Sequence, residues 1–371
     1  MNWLAANVEY YASIVADLSL QRDVIFAANE VLEDAYSGDY DGTALVQRAD
    51  TKFLGLEAKH GSVFTTPEQA VNQLFVDLDH RMNHPGHLSG IDTGLTTLNE
   101  MTGGWQPCDL ILIPARVSIG KTALILNMAK VAASTAGPVA FFSLEMSQQQ
   151  IEYRLLSHLS GVMMFRILRG WLGQVDYQQI ADAMEVRRSL PLYIDDTPRI
   201  GIHEIRRKDR RFKAATGLKL IAVDYVQLIT SGGRRKDQTR TEELGEVSRL
   251  LKGLAKELDV PVIAAAQLSR APMGRSDHRP QLSDIRESGT FEQDADIVAM
   301  IHRKDHKESG ECEILLEKQR NGPTGAFFVN FNRDTTSFSD WTESDVPKDE
   351  SRTRTQPART AAQRIPYSEA E

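Results

Sequence analysis

A short segment between an apolar run and a helix-like stretch ends in Gly120-Lys121-Thr122. The run covers 110–115 and the stretch covers 123–133. In a loop of this kind, backbone N–H groups and the positive end of the following helix bind phosphate, the lysine reaches the outer oxygens, and the threonine hydroxyl holds magnesium. The candidate phosphate-binding residues are Ala115, Arg116, Val117, Ser118, Ile119, Gly120, Lys121 and Thr122.

The first position of this loop departs from the strict pattern, which begins with glycine. Ala115 occupies that place. The loop by itself therefore also fits an incidental Gly-Lys-Thr turn between a strand and a helix. The residues that follow the neighbouring apolar runs are needed to distinguish a phosphate-binding loop from such a turn.

Acidic side chains end two further apolar runs: Glu145 directly follows one and Asp224 the other. Open α/β sheets bind their ligands at the carboxyl ends of strands. An acid placed there polarises a water for attack on a terminal phosphate, or supports a magnesium ion. The sequence predicts the first role for Glu145 and, together with Thr122, the second role for Asp224. A helix-capping acid is the alternative for Glu145.

A neutral side chain and two cations complete the candidate set. Gln267 ends the apolar run 262–266 and is placed to sense a terminal phosphate. Lys318 and Arg320 close a later run, and alternation along a strand sends both to one face. Two cations on one face suit a phosphate transition state, and the solvated face of an edge strand is the alternative.

The order of apolar runs predicts the fold class. Five runs alternate with helix-like stretches, at 110–115, 139–144, 190–194, 220–223 and 262–266. This alternation is typical of an α/β fold in which a mostly parallel sheet carries helices on both faces. Three later runs lie closer together and predict added strands or hairpins at one edge, at 297–301, 313–316 and 327–331.

The segments before and after this domain have different patterns. Helical periodicity on both sides of a turn at 38–42 predicts a helical hairpin, and Pro67 opens a short amphipathic helix. The last residues are nearly free of apolar side chains, which predicts disorder. The predicted division is a helical hairpin over 1–60, a linker over 61–94, the α/β domain over 95–341 and a disordered tail over 342–371.

The composition is that of a soluble globular protein, with 41% hydrophobic and 25% charged residues. A formal net charge of -8 argues against a protein that coats DNA over its whole surface. Two basic clusters, 206–213 and 234–236, either line a groove for DNA or form solvated faces.

No apolar run is long enough to cross a bilayer, so a cytoplasmic protein is expected. Cys108 and Cys312 have no metal-ligand spacing and are expected to be reduced and buried.

The motifs taken together resemble those of the DnaB-type replicative ring helicases, which are relatives of RecA, over about 7–341. The motifs that carry the resemblance are Phe142-Ser143-Leu144-Glu145-Met146, Val223-Asp224-Tyr225-Val226-Gln227-Leu228, Gln267-Leu268-Ser269-Arg270, the stretches 282–289 and 292–296, and Lys318-Gln319-Arg320-Asn321-Gly322-Pro323-Thr324-Gly325.

The resemblance implies an ATP-dependent helicase that encircles single-stranded DNA as a homo-hexamer, moves from five-prime to three-prime and unwinds the duplex. ATP and Mg²⁺ are the implied cofactors, and a helicase loader and a primase are implied partners; no membrane partner is expected. By resemblance, Glu145 is the catalytic carboxylate, Asp224 supports the metal and the water, and Gln267 couples the nucleotide to DNA. Lys318 and Arg320 then act on the nucleotide of a neighbouring subunit. The implied DNA-binding residues, which face the central channel, are Arg286, Glu287 and Gly289.

The sequence departs from the family in two places. Ala115 and Val117 stand where the family has glycine and usually proline, which predicts a looser loop and weaker ATP binding. The hairpin over 1–60 corresponds only to the end of the family's N-terminal collar domain, which puts primase binding in question. Two other functions stay open: a RecA-like DNA-binding ATPase that does not unwind DNA, and a non-catalytic ring subunit.

Overall fold

The chain forms two compact units, Met1–Pro85 and Gly86–Glu371. A computed structural model of the protein describes residues 3–42, 45–46, 48–49, 51–53, 55, 65–84, 86–116, 118–231, 239–268, 279–285, 289–303 and 310–342. The predicted tail lies outside these residues except for position 342. In the part of the chain so described, no helix combines the length and the apolar character needed to cross a membrane.

The first unit is helical. Helix α1 covers Trp3–Ser37, and the described residues between 42 and 55 are helical as well. Arg48 Nε lies 2.5 Å from Asp34 Oδ2, and Lys52 Nζ lies 2.8 Å from Glu30 Oε2. From Arg48 to Lys52 the second segment advances, while its partners in α1 go back from Asp34 to Glu30. The two segments therefore run antiparallel.

Helix α2 covers Pro67–Asn83 and is longer than the short helix expected there. Its start is fixed by a capping box. Thr66 Oγ1 accepts a hydrogen bond from Gln69 N at 3.2 Å, and Thr66 N donates to Gln69 Oε1 at 3.0 Å. Pro67 at the first helical position needs no partner for a backbone N–H.

The second unit is built on a nine-stranded sheet with the order β3-β2-β4-β5-β1-β6-β7-β8-β9. Its strands are β1 (Leu110–Ala115), β2 (Val139–Ser143), β3 (Leu192–Asp195), β4 (Leu220–Asp224), β5 (Val262–Gln267), β6 (Ile297–His302), β7 (Glu311–Gln319), β8 (Gly325–Asn332) and β9 (Ser337–Asp340). The first six strands of this order, from β3 through β1 to β6, pair in parallel with their neighbours. Strands β7, β8 and β9 are joined to them by antiparallel pairing. The predicted α/β fold class is confirmed, with the added strands at one edge.

Helices cover both faces of the sheet. The described α-helices of this unit are α3 (Thr96–Thr102), α4 (Lys121–Thr135), α5 (Gln148–Ser160), α6 (Met164–Arg169), α7 (Gln174–Ser189), α8 (Ile202–Thr216), α9 (Arg240–Leu258) and α10 (Gly289–Asp294). Ile111 and Ile113 of β1 belong to the core that contains α4, whereas Leu110 and Leu112 belong to the core that contains α9. Successive strand residues point to opposite faces, so the sheet separates two apolar cores.

One strand starts later than the sequence predicts, and another was not predicted at all. Strand β3 begins at Leu192 and not at Leu190, because Leu190 N still donates to Val186 O at 3.1 Å at the end of α7. Strand β9 was not predicted, since Phe338 is its only apolar residue. It is added through pairing with β8, where Phe331 lies opposite Phe338.

The two cysteines differ in burial. Cys312 is buried, as expected, whereas Cys108 is half-buried, and its thiol donates to Asp259 Oδ1 at 3.2 Å. The expectation of two buried thiols is therefore wrong for Cys108, because its position just before β1 is partly open to solvent.

A half-buried histidine joins α5 to the turn between β8 and β9. His158 Nε2 lies 2.7 Å from Thr336 O. Because a carbonyl only accepts, Nε2 carries the proton in this contact. Burial lowers the pKa of His158 to about 4, against the opposing effect of the Thr336 carbonyl. The imidazole is therefore neutral in the folded protein at neutral pH.

Acidification should destabilise the protein through His158. The unfolded chain binds a proton there near pH 6.5, whereas the folded chain binds it only near pH 4. The free energy of unfolding therefore falls as the pH drops between these values, by at most about 3 kcal/mol. His158→Gln keeps an N–H donor but cannot titrate, so it should lose less stability between about pH 7 and about pH 5. Urea unfolding at both pH values measures the difference; an equal loss in both proteins would contradict the assignment.

Candidate active site

The predicted phosphate loop connects β1 to α4. Ala115 is the last residue of β1, fully buried and paired with Gln267 of β5. Its methyl group therefore lies in the core on extended backbone and does not crowd the turn. Arg116 follows and is half-buried, and Val117 lies outside the described residues.

The rest of the loop is tightly turned. Ser118 has φ 65° and Gly120 has φ 113°, both in the left-handed region. Ile119 between them is 2% exposed and fixes the loop to the core. Concave backbone of this kind, followed directly by a helix N-terminus, presents N–H groups to an anion. Lys121 and Thr122 are the first two residues of α4.

Asp224 lies at the centre of the site. It ends β4 and is 1% exposed. Thr122 Oγ1 donates to Asp224 Oδ2 at 2.5 Å, and Lys121 Nζ lies 3.3 Å from Asp224 Oδ1. Lys121 Nζ is also 3.9 Å from the centroid of the Tyr225 ring, within the range of a cation–π contact. The two candidate magnesium residues, Thr122 and Asp224, are thus in direct contact.

Glu145 follows the neighbouring strand at the same edge. Ser143 of β2 lies opposite Asp224 of β4, and Leu144 N donates to Asp224 O at 2.8 Å. The Glu145 side chain is exposed. Ser147, and not Glu145, caps helix α5, so the capping alternative does not describe Glu145.

Gln267 occupies the third strand end of the site. Gln227 fixes its backbone from both sides: Gln267 N donates to Gln227 Oε1 at 3.2 Å, and Gln227 Nε2 donates to Gln267 O at 3.3 Å. The next residue, Leu268, forms a β-bridge with Ile285. The strand that carries Gln267 is thereby joined to the segment that begins at 286.

Two side chains near the acids were not singled out in the sequence. Burial, followed by the charges of Glu145 and Asp224, raises the pKa of Tyr225. Burial lowers the pKa of Arg154 on α5, and the same two acids partly offset this effect. Tyr225 was marked only by its place next to Asp224. Arg154 lies within a helix, at a spacing that gives no signal.

Lys318 and Arg320 are not brought to this edge of the sheet. Arg320 N donates to Asp296 O at 3.0 Å, and Asp296 N donates to Leu110 O at 2.9 Å. Leu110 begins β1, whereas the phosphate loop follows its end. The six residues of β1 span roughly 17 Å at about 3.3 Å per residue. The two cations therefore lie about one strand length from the loop of their own chain.

The candidate DNA-binding residues are only partly described. Arg286 and Glu287 lie outside the described residues, as does the basic cluster 234–236. Gly289 begins α10.

The other basic cluster is paired within the chain. Arg206 Nη2 lies 2.6 Å from Glu257 Oε2, and Arg210 pairs with the same carboxylate. Lys208 Nζ lies 2.6 Å from Asp195 Oδ2. These contacts favour a solvated helix face over a DNA groove.

A phosphate loop after β1, a buried acid after β4 and further polar residues at the ends of β2 and β5 define a nucleotide-binding ATPase domain of the RecA-like class. Residues 90–340 match the DnaB-like helicase C terminal domain. The chain belongs to the family of DnaB-like helicases.

Two relatives of the chain are replicative DNA helicases. The chain is 43% identical over 340 residues to the replicative DNA helicase DnaB of Geobacillus stearothermophilus, covering 89% of this chain and 75% of that protein. It is 42% identical over 341 residues to the replicative DNA helicase DnaC of Bacillus subtilis (strain 168), covering 90% and 75%. The solved structure of a DnaB-like replicative helicase, described with its interactions with primase, superposes with a TM-score of 0.77 at 28% identity, covering 90% of this chain and 79% of that one.

Gly120→Ala should weaken nucleotide binding. The added methyl group would lie 3.2 Å from Phe338 Cζ and 3.4 Å from Phe331 Cε2, on a backbone with φ 113°. The loop must then shift, and we expect the affinity for ATP to fall about tenfold or more. Gly161→Ala is the matched control, since Gly161 has φ 71° but nothing within 4 Å of the added atom. Titration with a fluorescent ATP analogue measures both; equal affinities would show that the loop tolerates the methyl group.

Proposed function

We propose that the protein is an ATP-driven replicative helicase that works as a hexameric ring on single-stranded DNA. The observation that carries the proposal is the contact of Lys121 and Thr122 with the buried Asp224 at the carboxyl edge of a RecA-like sheet. Membership of the DnaB-like family supplies the coupling of such a site to DNA unwinding.

The oxygen atoms of the site are suitable ligands for a magnesium ion. Asp224 Oδ1 is buried and accepts no hydrogen bond from the described residues, although Lys121 Nζ lies 3.3 Å from it. Asp224 Oδ2 and Thr122 Oγ1 lie next to it. Mg²⁺ prefers oxygen ligands of this kind together with phosphate oxygens. Thr122 would hold the ion directly and Asp224 would support it, and the bound ion would neutralise charge on the phosphates. Lys121 would leave Asp224 for the terminal phosphate.

Glu145 is proposed as the catalytic carboxylate. Its side chain is exposed at the edge where the terminal phosphate would lie, while its backbone is joined to the end of β4 through Leu144. A carboxylate in this place orients the attacking water and accepts its hydrogen bond.

Lys318 and Arg320 are proposed to act on the nucleotide of a neighbouring subunit. Their distance of about one strand length from their own loop excludes direct contact within one chain. A cation supplied across a subunit boundary makes hydrolysis depend on assembly.

Gln267 is proposed to couple the nucleotide to DNA. A shift of its side chain toward a terminal phosphate would move Leu268, and Leu268 is bridged to Ile285, directly before the proposed DNA-binding residues Arg286, Glu287 and Gly289. Backbone contacts of such a loop with DNA phosphates would hold the strand without reading its sequence.

The family supplies the remaining parts of the proposal: movement from five-prime to three-prime, six subunits, action in the cytoplasm, and a helicase loader and a primase as partners. The solved DnaB-like relative was described with primase, which supports the primase proposal for this chain.

Single-stranded DNA should stimulate ATP hydrolysis by the purified protein, and its mass in solution with nucleotide should be that of a hexamer. The stimulation is expected because Gln267 and the DNA segment are joined through Leu268. ATPase assays with and without DNA, together with light scattering, test this. Stimulated hydrolysis without strand displacement would support the RecA-like DNA-binding ATPase, and a folded ring without hydrolysis would support the non-catalytic subunit.

Arg320→Ala should abolish hydrolysis and leave ATP binding unchanged, because Lys121 and Thr122 of the same chain bind the nucleotide. We expect turnover to fall by on the order of a thousandfold. Arg188→Ala is the control: Arg188 is an exposed arginine, paired with Glu185 on α7, and its loss should leave turnover intact. Normal turnover in Arg320→Ala would contradict the action of Arg320 across the boundary.

A further inference from the structure

A buried carboxylate lies directly behind Arg320. Asp296 is 4% exposed and precedes β6. Its Oδ2 accepts hydrogen bonds from Leu110 N at 2.8 Å and from Lys252 Nζ. Its Oδ1 lies 3.3 Å from Arg320 Nη1. One oxygen therefore holds the carboxylate to the fold, and the other faces the arginine.

The groups that hold this carboxylate are themselves buried or mostly buried. Lys252 on α9 is mostly buried, with 16% of its side chain exposed, and it also donates to Cys108 O at 2.8 Å. Leu110 begins the central strand β1 and is fully buried. Two hydrogen bonds to these groups fix Asp296 on the sheet, and they leave its Oδ1 facing Arg320.

Arg320 is oriented by this contact but not enclosed. Its Nη2 donates to Gln293 O at 2.9 Å, while 49% of its side chain is exposed. Each terminal nitrogen of a guanidinium carries two N–H donors, so one donor on each remains for another ligand. The exposed half of the guanidinium can meet a phosphate while the buried half stays bound to Asp296 and Gln293.

We propose that Asp296 is a positioning residue that orients Arg320 toward the nucleotide of the neighbouring subunit. This inference rests on the proposed action of Arg320 across the subunit boundary. A long arginine side chain loses much rotamer freedom when it is fixed. Holding it in advance removes that cost from the transition state, where electrostatic stabilisation depends on preorganised groups.

Asp296→Asn tests the contact selectively. The single amide oxygen of asparagine can still accept from Leu110 N and Lys252, and the amide N–H₂ then faces the N–H donors of Arg320. We expect the turnover number to fall on the order of ten- to hundredfold with an unchanged KM for ATP, since a small misplacement of a catalytic group costs about that much.

Lys252→Met is the matched control. It removes the other ion pair of Asp296 and leaves the arginine contact in place. It should lower the thermal unfolding midpoint at least as much as Asp296→Asn and retain turnover below that temperature. An unchanged turnover number in Asp296→Asn, or an increased one, would overturn the proposal; an increase would mean that Asp296 keeps Arg320 away from its target.

Mixed rings separate a positioning role from a merely structural one. Subunits with Asp296→Asn have an intact phosphate loop, and subunits with Lys121→Ala have an intact Arg320. At some boundaries the nucleotide is bound by an Asp296→Asn subunit and Arg320 comes from a Lys121→Ala subunit. Both the phosphate loop and the arginine contact are intact there. Co-expressed mixtures should therefore hydrolyse ATP well above either variant alone.

A mixture of Arg320→Ala with Lys121→Ala subunits tests the action of Arg320 across the boundary separately from the positioning role of Asp296. Recovery in both mixtures supports the proposal. Recovery with Arg320→Ala but not with Asp296→Asn would overturn the role of Asp296 and leave the proposed function intact. Recovery in neither would overturn action across the boundary, and the positioning role with it.

Discussion

The site depends on the burial of one carboxylate. Asp224 is 1% exposed, and a buried carboxylate is costly unless charged or hydrogen-bonding partners surround it. Lys121 and Thr122 are those partners. Their position requires the first turn of α4 to meet the end of β4, and therefore fixes the phosphate loop at the carboxyl edge of the sheet. Glu145 and Gln267 reach the same edge because their strands are parallel to β4.

The carboxyl ends and the amino ends of the parallel strands carry different parts of the proposed chemistry. The carboxyl edge holds the groups that would bind and hydrolyse a nucleotide. The opposite edge holds Arg320 and Lys318, which both donate to the carbonyl of Gln293 at the end of α10. Burial and the charge of Arg320 lower the pKa of Lys318, so the two cations share one small region. A sheet of this polarity separates them from their own nucleotide, and a ring of such subunits would bring the two edges together.

The strands could be predicted well where they are buried on both faces. The run 110–115 coincides with β1 because each of its residues is buried, so the sequence is apolar throughout. Strand β9 has a single apolar residue and depends on β8 for its pairing, so no local pattern marks it. The start of β3 was misplaced because Leu190 is apolar and yet still bonded to α7. Apolar character reports burial, and only hydrogen bonding decides which element a buried residue joins.

By itself, the sequence determined the α/β class, the family and the residue types of the phosphate site, because continuous apolar runs and a Gly-Lys-Thr loop are local properties of the chain. Only the tertiary structure decided which side chains meet. The contact of Thr122 with Asp224 joins residues far apart in sequence, and so does the contact of Arg320 with Asp296. The same holds for the burial that gives Arg154 and Tyr225 shifted pKa values. Such contacts depend on strand order and on burial, and the spacing of residues along one strand or helix predicts neither of them.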